Sequence, residues 1–267
     1  MKKALTFVIP VRHQDNARDW NRLKQNLAST MKSVASQKNR DWKGIVVANY
    51  GADLPALPDG FEVKWVDFPP NPLHEQGNVD KEQFYEAIRI DKGKRVLAGM
   101  LHAGEMQHVM VVDDDDFVSD QLSTIAAENP AANGWYIRDG YIWSEGSNYV
   151  YRFSDFSKLC GTCYVIRADL YRLPASFAEA SDEYIKRMLG SHIVIRDHLA
   201  NHGTPLAPLP FVGAVYRVGH IGSHSKSTGV FKHYFPRSLL KQPRELVRRL
   251  RRLKYLSPSI TREYFGA

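Results

Sequence analysis

Short apolar runs and longer polar stretches alternate along the first half of the chain. Residues 5–11 (LTFVIPV) are apolar and lead into a polar, helix-compatible segment over 18–37. The run 43–51 predicts a second strand closed by Asn49, Tyr50 and Gly51; 61–69 alternates as a third and stops at Pro69. A helical segment near 81–104 precedes the apolar run 109–112, a fourth strand. Strands that alternate with helices predict an α/β architecture with a mostly parallel central sheet flanked by helices. In such sheets ligands gather beyond the carboxyl ends of the strands.

The second half is patterned differently. Residues 134–146 and 148–155 are aromatic-rich and hairpin-like, and 161–170 predicts a strand running into a helix. The stretch 182–203 is helical at both ends with a polar break at Gly190, Ser191 and His192. A last strand within 209–218 opens into a loop rich in His, Gly and Ser. With no internal repeat and no low-complexity linker, 1–230 is expected to be one catalytic domain. Its nucleotide-binding half spans about 1–120 and its acceptor-binding half about 121–230, and a basic, amphipathic, helical appendage follows over 231–267.

The fourth strand delivers four consecutive carboxylates, Asp113, Asp114, Asp115 and Asp116. Adjacent like charges repel, so an acidic solvent loop explains them poorly after so apolar a run. Strand alternation would turn Asp113 and Asp115 to one side and Asp114 and Asp116 to the other. Paired carboxylates at a strand end make a hard oxygen site for Mn²⁺ or Mg²⁺, which commonly bridges protein carboxylates to substrate phosphates.

Composition adds limits. The chain has 267 residues, 43% hydrophobic and 24% charged, ordinary values for a globular protein. No stretch reaches the roughly 18–20 consecutive apolar residues of a membrane span. The opening MKKALTFVIPVRH is cut off by Pro10 and Arg12 before a signal-peptide core could form, so a cytoplasmic location is expected. Cys160 and Cys163 lack a second pair to complete a zinc site and read as reduced packing residues.

The net charge of +7 is local. Residues 237–254 hold eight basic residues and one acid, Glu245, which accounts for the whole excess. Leu239, Leu246, Leu250 and Leu253 fall on one helical face and the arginines on the other. Two readings stand: residues 237–256 lie on an anionic membrane surface, placing the protein peripherally at the inner face of the membrane, or the helix docks on the protein's own core. No aromatic or glycine-rich pattern accompanies the charge, which excludes nucleic acid as the expected partner.

Four motifs in order, TFVIPVRH, KGKRVLAGMLHA (92–103), VVDDDDFV and VYRVGHIGSHS, resemble the nucleotide-sugar-dependent glycosyltransferases of GT-A fold, the family-2 type in particular. The resemblance covers roughly residues 4–227. It implies that Pro10, Val11 and Arg12 lie at the nucleotide base, with Asn49 closing the next strand beside them. Lys92, Lys94 and Arg95 would approach the base and diphosphate, with Lys226 a further candidate cation. The DXD signature implies that Asp113 and Asp115 hold the metal, with Asp114 beside the sugar nucleotide. The final motif implies His220 as an added metal or diphosphate ligand, with His224 beside it.

One departure matters. Inverting members carry an acidic pair at a helix start about eleven residues before a glycine, and its Asp is the base. Counting back eleven from Gly203 reaches His192, with Asp197 five residues later. Either can accept a proton near neutral pH, so the base is His192 or Asp197, and a retaining mechanism would need neither.

The expected activity is transfer of a sugar from a nucleotide-diphosphate donor, a UDP-sugar favoured, to a glycan or lipid-linked acceptor in surface polysaccharide synthesis. Trp135, Tyr136, Tyr141 and Trp143 form either a sugar platform or ordinary core. Rival readings are a metal-dependent nucleotidyltransferase or phosphohydrolase, a zinc hydrolase through His220 and His224, and a non-catalytic sugar- or membrane-binding module. The glycines at 219 and 222 argue against the zinc helix. The missing glycine-rich loop argues against a nucleotidyltransferase.

Overall fold

A computed structural model describes residues 2–75, 79–219 and 229–266. In chain order the elements are β1 (Lys3–Pro10), α1 (Trp20–Ala35), β2 (Trp42–Asn49), β3 (Phe61–Val66), α2 (Lys81–Ala103), β4 (Met106–Val111), β5 (Phe117–Val118) and α3 (Leu122–Glu128). There follow β6 (Gly134–Tyr136), β7 (Asp139–Ser144), β8 (Tyr149–Ser154), β9 (Tyr164–Arg167), α4 (Asp182–Tyr184), α5 (Ile195–Asn201), β10 (Ala207–Pro208) and β11 (Ala214–Val218). The chain closes with α6 (Val230–Tyr234), α7 (Pro243–Arg252), β12 (Leu253–Tyr255) and α8 (Pro258–Phe265).

Among the described residues the strands form two sheets. The larger has the order β10-β6-β9-β4-β1-β2-β3. β3, β2, β1 and β4 are mutually parallel, and β9 alone runs against its neighbours. The expected α/β class, a mostly parallel sheet flanked by helices, is the one observed. β1 is buried along nearly its whole length, as a strand covered on both faces must be. The two long helices start where side chains supply caps: Asp19 accepts from the Arg22 amide, and Asp80 from the amides of Glu82 and Gln83.

The smaller sheet, β12-β8-β7-β11-β5, corrects three expectations. The hairpin-like residues 134–146 are divided between the two sheets. β6 joins the larger sheet, the chain breaks at Ile137 and Arg138, and β7 pairs with β8 as the expected hairpin. The last strand is not β11 but β12, which pairs antiparallel with β8. The tail is therefore not helical throughout. α7 stops at Arg252, and α8 returns to the body, where the buried Tyr264 hydroxyl donates to the Val212 carbonyl and Phe265 packs on Phe117. Among the described residues no helix is long and apolar enough to cross a membrane.

Candidate active site

The strand order reverses between β1 and β4, and both deliver their carboxyl ends to the same edge. Open α/β sheets bind ligands at that switch point. A cleft of about 480 Å³ lies there, lined by Pro10 and Arg12 after β1 and by Asp113, Asp114 and Asp115 after β4. Arg89, Lys92 and Arg95 line it from α2, and Ser191 and His192 from the polar break before α5.

Strict alternation fails at the aspartates. β4 ends at Val111, and the chain turns as the Asp116 amide donates to the Asp113 carbonyl (3.2 Å). Three carboxylates consequently share one cleft, while Asp116 is fully buried behind them. Thr162 ties the turn in two directions. Its hydroxyl accepts from the Asp113 amide (2.9 Å) and donates to Asp116 Oδ2 (2.6 Å). The Cys160 thiol and the Arg217 amide also donate to the Asp116 carboxyl. Burial, reinforced by Asp115 and Asp113, raises the Asp116 pKa well above the usual carboxylate range.

Arg217 stands behind this turn as a fixed cation. Its guanidinium lies over the Phe117 ring (4.5 Å) and bonds Asn26 Oδ1 (2.5 Å). Burial lowers its pKa to about 10 against the pull of Asp115 and Asp116, which leaves it charged at neutral pH. Cys160 and Cys163 are free and buried, as expected of packing residues, and burial pushes both thiols up.

On the facing wall Lys92 pairs with Asp113. Burial opposes the lysine's charge, but Asp113 outweighs it and raises the pKa. The pair closes over Gly161, where a Cβ would meet Asp113 Oδ2 at 2.6 Å and Lys92 Nζ at 2.9 Å. Arg95 is almost wholly buried, held by Asp91 and by Asn49 Oδ1 (2.7 Å). Asn49 thus acts behind Arg95 and does not line the cleft. Val11 is buried with its amide on the Val47 carbonyl, and half-buried Lys94 is not part of the cleft wall.

A π-helix, Ile185–Gly190, carries the chain to His192. It packs on α2 so closely that a Cβ at Gly190 would lie 2.0 Å from the Arg89 carbonyl oxygen. Single π turns often mark functional sites. Tyr164 donates to the His192 carbonyl (2.9 Å) and fixes the segment. Burial and then Lys92 lower the His192 pKa, so its ring is neutral at pH 7. Asp197 is exposed on α5 and is not part of the cleft wall.

His220, His224 and Lys226 lie outside the described residues. The aromatic candidates pack against the protein's own side chains, Trp135 buried on His108 and the other three half-buried: Tyr136 under Arg196, Tyr141 on Tyr264 and Trp143 on Phe117. Sequence reasoning missed Asn16, Asn71, His74, Tyr85 and Tyr216, which line the cleft from loops, α2 and β11. Of these only Tyr216 carried a signal, beside Arg217 in the last motif.

The donor chemistry suits a divalent metal of the shared kind. Asp113, Asp114 and Asp115 offer hard oxygens to one cleft, yet among the described residues no three acidic, His or Cys side chains form a ready-made cage. Mg²⁺ and Mn²⁺ are commonly held by one or two carboxylates plus substrate phosphates, and these residues fit that arrangement.

The strand order, the cleft at its reversal and the aspartate turn beside it make this a GT-A-like α/β fold. No protein-family model matches the chain, and no curated protein matches its sequence. Solved structures resemble it distantly. S. aureus TarS 1-349 has 11% identity and a TM-score of 0.43, the match covering 81% of this chain and 60% of that one. TarS 1-349 in complex with UDP-GlcNAc has 15% identity and a TM-score of 0.45, covering 86% and 62%. Rv0371C of Mycobacterium tuberculosis H37Rv, a complex with manganese, has 13% identity and a TM-score of 0.38, covering 81% and 92%. The match thus spans somewhat less than two thirds of those TarS structures, and the ligands belong to those proteins.

Proposed function

We propose that the protein is a metal-dependent glycosyltransferase that moves a sugar from a nucleoside-diphosphate donor, a UDP-sugar favoured, to a hydroxyl of a glycan or lipid-linked acceptor. Surface polysaccharide synthesis in the cytoplasm is the favoured setting. The observation that carries this reading is one cleft, at the reversal of strand order, that sets three aspartates against Arg12, Arg89, Lys92 and Arg95. Carboxylates for a cation and cations for an anion, side by side, suit a metal-bound diphosphate.

Asp113 and Asp115 would hold Mn²⁺ or Mg²⁺, with Asp114 beside them. When bound, the metal supplies charge neutralisation for the departing diphosphate. Lys92, Arg89 and Arg12, which line the cleft, would take the diphosphate oxygens, and the buried Arg217 would add fixed positive potential behind the turn. The acceptor oxygen forms its bond to the anomeric carbon while the carbon–phosphate-oxygen bond breaks, its electron pair leaving with the diphosphate. His192, neutral and on the cleft wall, takes the acceptor proton, which favours inversion.

The test is release of nucleoside diphosphate from UDP-sugars in the presence of Mn²⁺, with and without simple sugar acceptors. Slow release without acceptor, abolished by Asp115→Ala, is the expected result. No release from any nucleotide sugar, with or without acceptor, would overturn the reading.

A further inference from the structure

α7 leaves two of its apolar side chains, Val247 and Leu250, turned away from the body. On an α-helix Val247 and Leu250 share one side, and Glu245 and Arg249 lie on the opposite side. A helix of a globular protein normally turns its apolar side to the core. Here Glu245 and Arg249, with Leu246 beside them, form the half-buried side nearer the body. Arg249 donates to the Tyr234 carbonyl (2.6 Å) and to Glu245 Oε1 (2.7 Å), and both side chains are largely covered. Val247 and Leu250 are left 48% and 50% exposed, with Leu240 just before the helix at 73%.

The chain cannot simply roll over to hide them. Arg252 is followed at once by β12, whose residues pair in register with Tyr149, Val150 and Tyr151 of β8. That pairing brings further exposed aromatic surface. Tyr255 packs edge-on against Tyr149, which packs edge-on against Phe231, and all three are exposed.

The rim of this apolar ridge is cationic. Arg244, Arg248 and Arg251 are exposed, and the lone acid, Glu245, is already bridged by Arg248 and Arg249. We propose that this face is a docking surface for an anionic lipid bilayer, with α7 lying in the interface plane. Leu240, Val247 and Leu250 enter the headgroup boundary, and the arginines meet lipid phosphates. Charge decides among occupants. A second copy on a two-fold axis would press two strongly basic segments together, and a nucleic acid would leave the apolar ridge in water. An anionic membrane satisfies both halves of the surface. This inference stands independently of the reaction in the cleft.

The experiment is co-sedimentation of the full chain with vesicles of pure phosphatidylcholine and with equimolar phosphatidylglycerol–phosphatidylcholine vesicles. Retention on the anionic vesicles only, falling as salt is raised, is expected. Arg244→Gln and Arg251→Gln should each weaken partitioning about five-fold. The pair Val247→Asp and Leu250→Asp should abolish it while the melting temperature holds, since both positions face outward. Equal retention on neutral vesicles overturns the proposal, as does no retention on either. So does a dimer in solution that the Asp pair dissolves, which would make this a self-interface.

Discussion

Lys92 and Asp113 form an ion pair that joins α2 to the aspartate turn, and it closes over the backbone of Gly161. A cation thus already occupies one carboxylate where, under the proposed function, a metal-bound diphosphate would sit. Donor binding would exchange one partner for another without leaving either charge bare.

Lys92→Met should therefore weaken donor binding. Hydrogen bonds to charged groups contribute about 1.5–3 kcal/mol, which corresponds to a rise in donor KM of roughly ten- to hundred-fold. Steady-state kinetics with varied UDP-sugar would measure it.

Gly161→Ala should reduce turnover with little loss of stability. The added Cβ would crowd Asp113 Oδ2 and Lys92 Nζ, the far ends of two side chains that can shift. A shift of about 1 Å at the reacting centre can cost on the order of 100-fold in rate. Turnover and melting temperature measured together would separate the two effects.

Asp115 and Asp116 should behave oppositely despite being neighbours. Asp116→Ala strands the Thr162, Cys160 and Arg217 donors in the interior and should cost about 2 kcal/mol of stability. Asp115→Ala, half-exposed at the cleft, should stay within about 0.5 kcal/mol. Its loss should appear in metal-dependent activity instead. Urea unfolding of the two variants checks the contrast.

The rate should carry an acid limb set by His192. Burial and Lys92 depress its pKa below the ordinary 6.5, so the neutral base persists at mildly acidic pH and is lost only as pH falls through the lowered value. The linked stability has the same sign. The unfolded chain binds the proton first, so this residue's contribution declines as pH falls from about 6.5 towards the folded pKa. His192→Gln should remove the limb and lower kcat by roughly 10²–10⁴-fold. Asp197→Asn should change neither. A kcat/KM–pH profile of the three proteins decides.

Much of the scaffold was legible because apolar runs and polar stretches alternate with the right periods. Both long helices fall within about two residues of their expected ends. The site was legible in its parts, not in its arrangement. Alternation at Asp113–Asp116 presumed an extended chain, but the backbone turns after Val111 and puts three carboxylates in one cleft. The burial of Arg95 depends on Asn49, which only the packing of α2 against the sheet brings to it, whereas Asp91 is already in reach one turn earlier on the same helix. The tail misled for the same reason. Leu253 continues the helical leucine pattern but pairs with Tyr151 as the first residue of a strand.

The proposed activity requires metal-dependent recognition of a nucleoside diphosphate in the cleft. Its most direct test is the melting temperature of the purified protein with UDP and GDP, each with and without Mn²⁺. A ligand that binds only the folded state raises the melting temperature by mass action. The expected result is a rise with one of these nucleotides that requires Mn²⁺ and disappears in Asp115→Ala. No metal-dependent rise with either nucleotide would contradict it.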